Sequence, residues 1–553
     1  MPSSSLGALV SWWLFNRMRI LLASSEVYPF SKTGGLADMV GALGRALVNA
    51  GHEAVIITPL YRGIREKYPA LRRVDWHFDL PLGLQRATAE LWELDRAGEA
   101  KIYFIDHPGY FNRAGIYLEN NLSYADNDER YIFFSKCVVH LARYLPWRAE
   151  VVHLHDWQVA LVPALMLQQQ KEGWGNPPAT CLTIHNLAYQ GVFPEAAFAL
   201  TNLPGDFYAP DGVGAEFHGL LNCLKGGIVY ADSITTVSPR YAREITTEEL
   251  GCGLDGVLRQ QAGKLTGILN GVDYAEWNTT KNPHLFAPYS VARMAGKKIN
   301  KLELQRQVAL PVDEEIPLFG TISRLAEQKG VDIQLGALEE MLNSNIQFVQ
   351  LGSGSPEYER GYRELASRFP SKVAVQFGYD EILSHRIEAG CDFFLMPSRF
   401  EPCGLNQRYS QRYGTIPVVR ATGGLDDSVI DYGQSAPAAN GVKFFEYTSR
   451  ALAKAIRKAL AIYAQPELLQ QFRNNAMTAD FSWDKTVGQY LAVYRRASKL
   501  FSAEAAEISI LPAKPLNEPT NPKSIQPKAT KKPHRKESKV PLAKKSARSK
   551  AGK

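Results

Sequence analysis

Twice along this chain a strand-length apolar run leads into a helix-length amphipathic segment and then into another strand, and few architectures accept that alternation. In the first run Arg19–Ser24 reads as a buried strand and Leu36–Ala50 as a helix with apolar residues at helical spacing. Glu53–Thr58 reads as the next strand after a stop at Gly51. Val151–Leu154 and Cys181–Ile184 are further short strands that end in polar residues. The pattern restarts at Leu318–Ser323, passes through a helix near Val331–Leu342 and a strand at Gln347–Leu351, and reaches Phe393–Met396 before Pro397-Ser398. Short strands separated by helices need crossover connections and therefore pair in parallel. The expected fold class is α/β, with two doubly wound, Rossmann-like parallel sheets. A chain of 553 residues exceeds one ordinary core, which agrees.

The expected boundaries are 18–290 for the first domain and 291–480 for the second, with a linker near Asn282–Lys297. A helix over 481–502 is expected to pack back on the first domain. Residues 1–17 read as an N-terminal extension, because Met18-Arg19-Ile20 opens the first strand and marks Met18 as the expected initiator. Residues 503–553 read as a disordered Lys/Pro-rich tail with almost nothing apolar to bury. That tail distorts the net charge of +7: Leu511–Lys553 holds 13 Lys and Arg against 2 Glu, leaving 50 basic and 54 acidic residues elsewhere. The folded part is thus no nucleic-acid surface, and the tail is read either as a polyanion-binding segment or as a solvated extension. Six scattered cysteines without a CxxC pair point to a reduced, cytoplasmic, metal-free protein. No apolar run approaches the roughly 20 residues of a membrane span, and Leu6–Phe15 lacks the marks of a signal peptide.

In open α/β sheets ligands bind beyond the carboxyl ends of the strands, and the polar motifs fall there. Lys32 stands beside Gly34-Gly35 at the start of a helix, a combination of charge, free amides and helix dipole that suits a phosphate. His153-Leu154-His155-Asp156-Trp157 closes one strand, and Thr183-Ile184-His185-Asn186-Leu187 closes another. His153 and His155 have no third ligand at metal spacing. In the second half Arg324 and Lys329 put two cations five residues apart, within reach of one dianion. Pro397-Ser398-Arg399-Phe400-Glu401-Pro402-Cys403-Gly404-Leu405 follows, and Thr422-Gly423-Gly424-Leu425 is a second candidate phosphate turn. Cations in both halves suggest one anionic ligand held between them.

The motifs Lys-Thr-Gly-Gly-Leu, His-Asp-Trp, His-Asn-Leu-Ala-Tyr-Gln-Gly, Asn-Gly-Val-Asp, Arg-Leu-x-x-Gln-Lys-Gly and Pro-Ser-Arg-Phe-Glu-Pro-Cys-Gly-Leu-Asn-Gln occur here in that order. From about Met18 to about Leu500 the chain resembles the bacterial glycogen synthases and plant starch synthases, retaining glycosyltransferases of the GT-B fold that use ADP-glucose. The resemblance implies that Lys32, Gly34 and Gly35 hold the donor from the first domain, and that Arg324 and Lys329 neutralise the departing diphosphate. It implies that Glu401 orients glucose, and that the turns Cys403-Gly404-Leu405 and Thr422-Gly423-Gly424-Leu425 line the donor. It also implies that Tyr379 stacks on adenine, His185 and Asn186 line the sugar pocket, Asp156 contacts sugar, and Asn270 forms the cleft floor. No cofactor or metal is expected; the partners implied are ADP-glucose and an α-1,4-glucan. The chain departs from the resemblance at Gln158, Arg408, Gln411, Ala421 and Asp426, which bear on rate and specificity more than on reaction type. A UDP-glucose donor, or a silenced homologue that binds without turning over, are the competing readings.

Overall fold

The computed structural model describes residues 17–510 except 121, 211 and 212. The readings placed on residues 1–16 and 511–553, the extension and most of the tail, lie outside the described residues.

Residues 19–267 build one nine-stranded sheet. Its strands are β1 (Arg19–Ala23), β2 (Glu53–Pro59), β3 (Arg72–Leu82), β4 (Gln85–Leu94), β5 (Lys101–Asp106), β6 (Val151–His155), β7 (Ala179–Ile184), β8 (Ser233–Thr236) and β9 (Leu265–Gly267), in the order β9-β8-β7-β6-β1-β2-β5-β4-β3. Pairing is parallel from β9 to β5, and β4 and β3 extend the edge as an antiparallel pair. The central strands β6 and β7 are buried along their whole length, which is why Val, Leu, Ile, Cys and Thr fill them without alternation. The second sheet holds β10 (Leu318–Ile322), β11 (Gln347–Leu351), β12 (Val373–Gln376), β13 (Phe393–Met396), β14 (Ile416–Arg420) and β15 (Val442–Phe444), all parallel, in the order β12-β11-β10-β13-β14-β15. Each strand order reverses beside its first strand, β1 and β10. The loops after these two strands therefore open a crevice, and Lys32 and Arg324 sit on them.

The chain crosses between the sheets through irregular backbone after β9 and resumes a helix at Ala295–Gln307. The last helix, Trp483–Ile510, ends beyond the boundary read at 502, because Ala503–Ser509 supplies good helix formers and Pro512 is the first breaker. It joins the core of the first sheet: Trp483, Val487, Tyr490, Leu491 and Tyr494 cluster with β1 and β6 side chains. The Val272 amide donates to the Phe481 carbonyl at 2.7 Å and Thr486 to the Leu269 carbonyl at 3.3 Å, which sews the helix start to the end of the first sheet. Among the described residues no helix is long and apolar enough to cross a membrane.

The Tyr494 hydroxyl meets His153 Nδ1 at 2.8 Å inside this core. Tyr494→Phe leaves that ring nitrogen unpaired in a dry site, so it should lower stability by about 1–3 kcal/mol. Urea unfolding with an unchanged m-value is the measurement; no loss would mean that the pair contributes nothing.

Candidate active site

Short polar loops at the carboxyl ends of the two sheets meet each other, and the proposed site residues lie on them. After β1, Ser24, Ser25 and Glu26 are buried, and the Glu26 carboxylate accepts from the Thr33 amide, the Thr33 hydroxyl (2.7 Å) and the Tyr117 hydroxyl (2.7 Å). This brace shapes the loop that carries Lys32. Gly34 then caps the 15-residue helix Gly35–Asn49 in extended conformation with no side-chain cap, so the first-turn amides remain available. Lys32 itself pairs with Asp38 at 2.7 Å.

After β6, Asp156 takes φ 62°, ψ −173°, a region that a non-glycine residue enters at a cost of about 1–3 kcal/mol. What holds it there is visible: its carboxylate accepts the His185 amide at 2.7 Å from the loop after the neighbouring strand β7. His185 Nε2 lies 3.1 Å from His155 Nδ1, and His153 bonds Thr183 at 2.6 Å on its other nitrogen. The three imidazoles are thus spent on a buried column between the last helix and the cleft, not on a common ligand. Asn186 folds back on its own loop, its Oδ1 accepting from the Ala188 amide at 3.1 Å. Asn270 is buried with its side-chain oxygen unpartnered.

In the second sheet Glu401 is buried, and its Oε2 accepts from Lys329 Nζ at 2.6 Å and from the Ser398 hydroxyl at 3.0 Å. Arg324 is exposed and makes no ion pair among the described residues. Tyr379 is 79% exposed, with its ring open to stacking. The glycines at 423 and 424 have a local explanation. A Cβ at either would drive into the carbonyl oxygen of Glu401 or Cys403, so the pair lets the short helix Gly423–Ser428 press on the Glu401–Cys403 turn. The three amides read as phosphate donors all have partners in the chain. Gly423 N–H goes to Glu244 (3.1 Å), Gly424 N–H to the Glu401 carbonyl (3.1 Å) and Leu425 N–H to the Thr422 carbonyl (3.1 Å). Only the Gly423 bond opens without unfolding the turn; the other two hold it together.

Several contacts join the halves. Glu244, on the helix after β8, reaches Gly423 and Thr422, and the Arg240 amide donates to Asp427 at 2.7 Å. Gly35 leaves room for Leu405, whose Cδ1 a Cβ there would touch at 3.4 Å. Arg408 is fully buried: it donates to the Asn270 carbonyl, to the Gly404 carbonyl at 2.6 Å and to the Cys403 sulfur at 3.1 Å. Gln411 donates to the Ser428 carbonyl at 3.0 Å, and Asp426 pairs with buried Lys443 at 2.8 Å. These departures are absorbed as polar bonds that hold the Glu401 loop. Gln158 and Ala421 have no such account: Gln158 Oε1 is buried without a partner, and nothing in the structure explains Ala421.

The cleft is electrostatically unusual. Burial pushes Asp156 up to about 7 against the pull of the two amides that it accepts, and holds His185 down at about 3. Glu276 is also raised to about 7, first by burial and then by Asp38. Tyr379 and Lys32 share the fields of Asp38 and Glu276, with Glu381 adding to that at Tyr379, which puts the two sides of the crevice on one small region. Glu26, Glu244 and Glu276 were missed in the sequence, and Ser398 was read only as part of the motif Pro397–Leu405. Only Ser24-Ser25-Glu26, polar directly after a buried strand, carried a readable signal.

The chain matches known proteins along nearly all of its described length. The family profile described as starch synthase catalytic domain matches residues 19–260, and the profile described as glycosyl transferases group 1 matches residues 303–478. A glycogen synthase of Syntrophotalea carbinolica is 42% identical over 491 residues, 88% of this chain and 100% of the relative. One of Thioalkalivibrio sulfidiphilus is 45% identical over 488 residues, 86% of this chain and 99% of the relative. Among solved structures, the catalytic domain of starch synthase IV from Arabidopsis thaliana bound to ADP and acarbose superposes with a TM-score of 0.79 at 32% identity, covering 87% of this chain and 100% of that one. A sucrose-phosphate synthase from Thermosynechococcus elongatus shares the fold alone, with a TM-score of 0.54 at 18% identity over 88% of this chain and 100% of that one.

Asp156 gives a pH test. The folded state keeps a proton on this carboxyl up to about pH 7, whereas the unfolded chain releases it near 3.8. The folded state then binds more protons across that window, so this group's contribution to stability falls as pH rises from about 4 to about 7. Asp156→Asn should flatten that part of the stability–pH curve relative to wild type. Parallel curves for the two proteins would refute the assignment.

Proposed function

The chain belongs to the family of bacterial glycogen synthases and plant starch synthases, and we propose that it transfers glucose from ADP-glucose to the non-reducing 4-hydroxyl of an α-1,4-glucan, with retention at the anomeric carbon. The observation that carries this reading is the set Lys329–Glu401–Ser398 on one side of the crevice and Lys32 with the free amides of Gly34 and Gly35 on the other. ADP bound to the Arabidopsis relative supports the adenine donor.

In this reading Tyr379 stacks on the base, and Lys32, Arg324 and Lys329 take the diphosphate. Both lysines already hold carboxylates, Asp38 and Glu401, at salt-bridge distance. At these two lysines an incoming diphosphate exchanges one set of anionic oxygens for another, and only Arg324 meets it as a bare cation. As the glycosidic C–O bond breaks, charge builds on the departing ADP and is met by groups fixed in place, which is where electrostatic catalysis acts. Lys329 released from Glu401 turns to the phosphate, and Glu401 turns to glucose hydroxyls. Asp156, His185, Asn186 and Asn270 frame the sugar from the first sheet, with the His185 main-chain carbonyl facing the reacting carbon. The turns Cys403-Gly404-Leu405 and Thr422-Gly423-Gly424-Leu425 wall the donor from the second sheet, mainly by backbone shape. The acceptor 4-hydroxyl attacks on the face that the diphosphate leaves, and a diphosphate oxygen takes its proton. Two inverted-face displacements would need a side-chain nucleophile; Glu401, tied to Lys329 and Ser398, is the one candidate.

The test is ADP release from ADP-glucose, with UDP-glucose in parallel, using glycogen as acceptor and EDTA present. Strong preference for ADP-glucose is expected. A folded protein that binds ADP yet turns over neither donor would favour the silenced-homologue reading. Glu401→Ala should lose at least 100-fold in kcat with ADP affinity nearly kept, the pattern of a group that acts mainly in the transition state. A glucosyl adduct trapped on Glu401 in the wild type would overturn the same-face route.

A further inference from the structure

His284 lies on the irregular segment that joins the two sheets, and Glu381 and His385 stand on the helix Glu381–Gly390. A spacing of four residues places the latter two on one helix face. One ligand atom from each of the three residues lies within 4.8 Å of the other two. His284 and His385 have no part in the transfer chemistry above, and Glu381 touches it only through its field at Tyr379.

The surroundings hold this group in a form suited to a metal. His385 is buried, and its ring lies against the Trp277 ring at 4.3 Å between centroids, with the His284 ring at 5.2 Å. Its Nδ1 is 3.0 Å from the Tyr413 hydroxyl and 3.1 Å from Asn282 Nδ2, and in the tautomer whose Nδ1 proton goes to the hydroxyl the Nε2 lone pair is free. A hydrogen bond of this kind on the second nitrogen is what orients metal-bound imidazoles. Asn282 bonds the same hydroxyl at 2.9 Å, and its Oδ1 accepts the His284 amide at 2.8 Å. The His284 carbonyl in turn accepts from Arg386 Nε at 2.9 Å. The backbone of His284 is therefore pinned on both sides to the helix that carries the other two ligands.

We propose that His284, Glu381 and His385 form a binding site for a divalent metal of the zinc type, completed by water. Two imidazoles and one carboxylate match the donor set that zinc takes, whereas magnesium and calcium prefer oxygen alone. Zinc with bonds of about 2.0–2.1 Å needs ligand atoms roughly 3.3 Å apart. The closing that remains, at most about 1.5 Å, is within reach of a rotamer change at Glu381, which is exposed in the first turn of its helix. Occupancy ties the connecting segment to the helix that begins two residues after Tyr379. The metal is structural there and stands outside the reaction.

The test uses tag-free, full-length protein stripped with EDTA and titrated with ZnCl2 by calorimetry, with MgCl2 as the contrasting probe. One zinc per chain is expected, with no competition from magnesium. His284→Ala and Glu381→Gln should each weaken binding at least tenfold, and His284→Ala leaves glucosyl transfer measured in EDTA unchanged. His385 is kept intact because it packs under Trp277. Wild type that takes up no zinc at micromolar concentration, or variants that bind within tenfold of it, would overturn the site. Because the readout is metal uptake, its failure is separate from any failure of the proposed transfer.

Discussion

The contact on which the site depends is backbone against backbone: Gly423-Gly424 against the turn Glu401–Cys403. A single methyl at either glycine would collide with a carbonyl oxygen, so no other residue lets the two loops close. Once they close, the Gly424 amide bonds the Glu401 carbonyl, and the turn after β13 can no longer move independently of the turn after β14. Glu401 is thereby fixed where Lys329, from the loop after β10, can reach it. Three separate strand ends are locked to one residue, two through its carboxylate and one through its main-chain carbonyl. The same closure brings Gly423 to Glu244 and Leu405 to Gly35, so the contact between the two halves also follows from it.

The alternation of strands and helices was legible because the central strands are buried on both faces and the helices show an apolar stripe to one side of a sheet. That arrangement writes contiguous apolar runs and helical spacing into the sequence. The sheet order was not legible in detail. The antiparallel edge of β3 and β4 carries half-exposed residues on one side, and the nine-strand width comes from β8 and β9, whose short runs look like loop ends. In the site, Lys32, Arg324, Lys329 and Glu401 stood out because they put charge on the loops that follow apolar strands. Glu244 and Glu276 did not, since an acidic residue at the end of a helix or in an irregular segment is ordinarily solvated. Their role depends on which distant loop faces them. The glycines at 423 and 424 were read as donors to an anion, and the structure shows why a Gly-Gly pair is ambiguous. The absence of a Cβ serves an approaching ligand and an approaching backbone equally.

Arg408 shows how a departure can be neutral for the fold and still matter to the chemistry. A guanidinium with no carboxylate partner is expensive to bury, and leaving any of its donors unmet adds to the cost. Here two carbonyls, Asn270 and Gly404, and the Cys403 sulfur take its terminal nitrogens, while its Nε has no partner. The carbonyls come from opposite halves of the chain, so the bonds that offset the burial also hold the halves together. The residual positive charge lies directly behind the turn that carries Glu401. A diphosphate entering the cleft brings the opposite charge, and low-dielectric surroundings let that attraction act across more than one shell of atoms. The lysines of the cleft differ in kind: Lys32 and Lys329 have carboxylates beside them that an anion would displace in the proposed transfer, whereas Arg408 has none to exchange. In the proposed transfer Arg408 keeps the same partners throughout, and so it would bias binding of the charged donor and product alike, while the paired lysines would be free to follow the charge onto the leaving group.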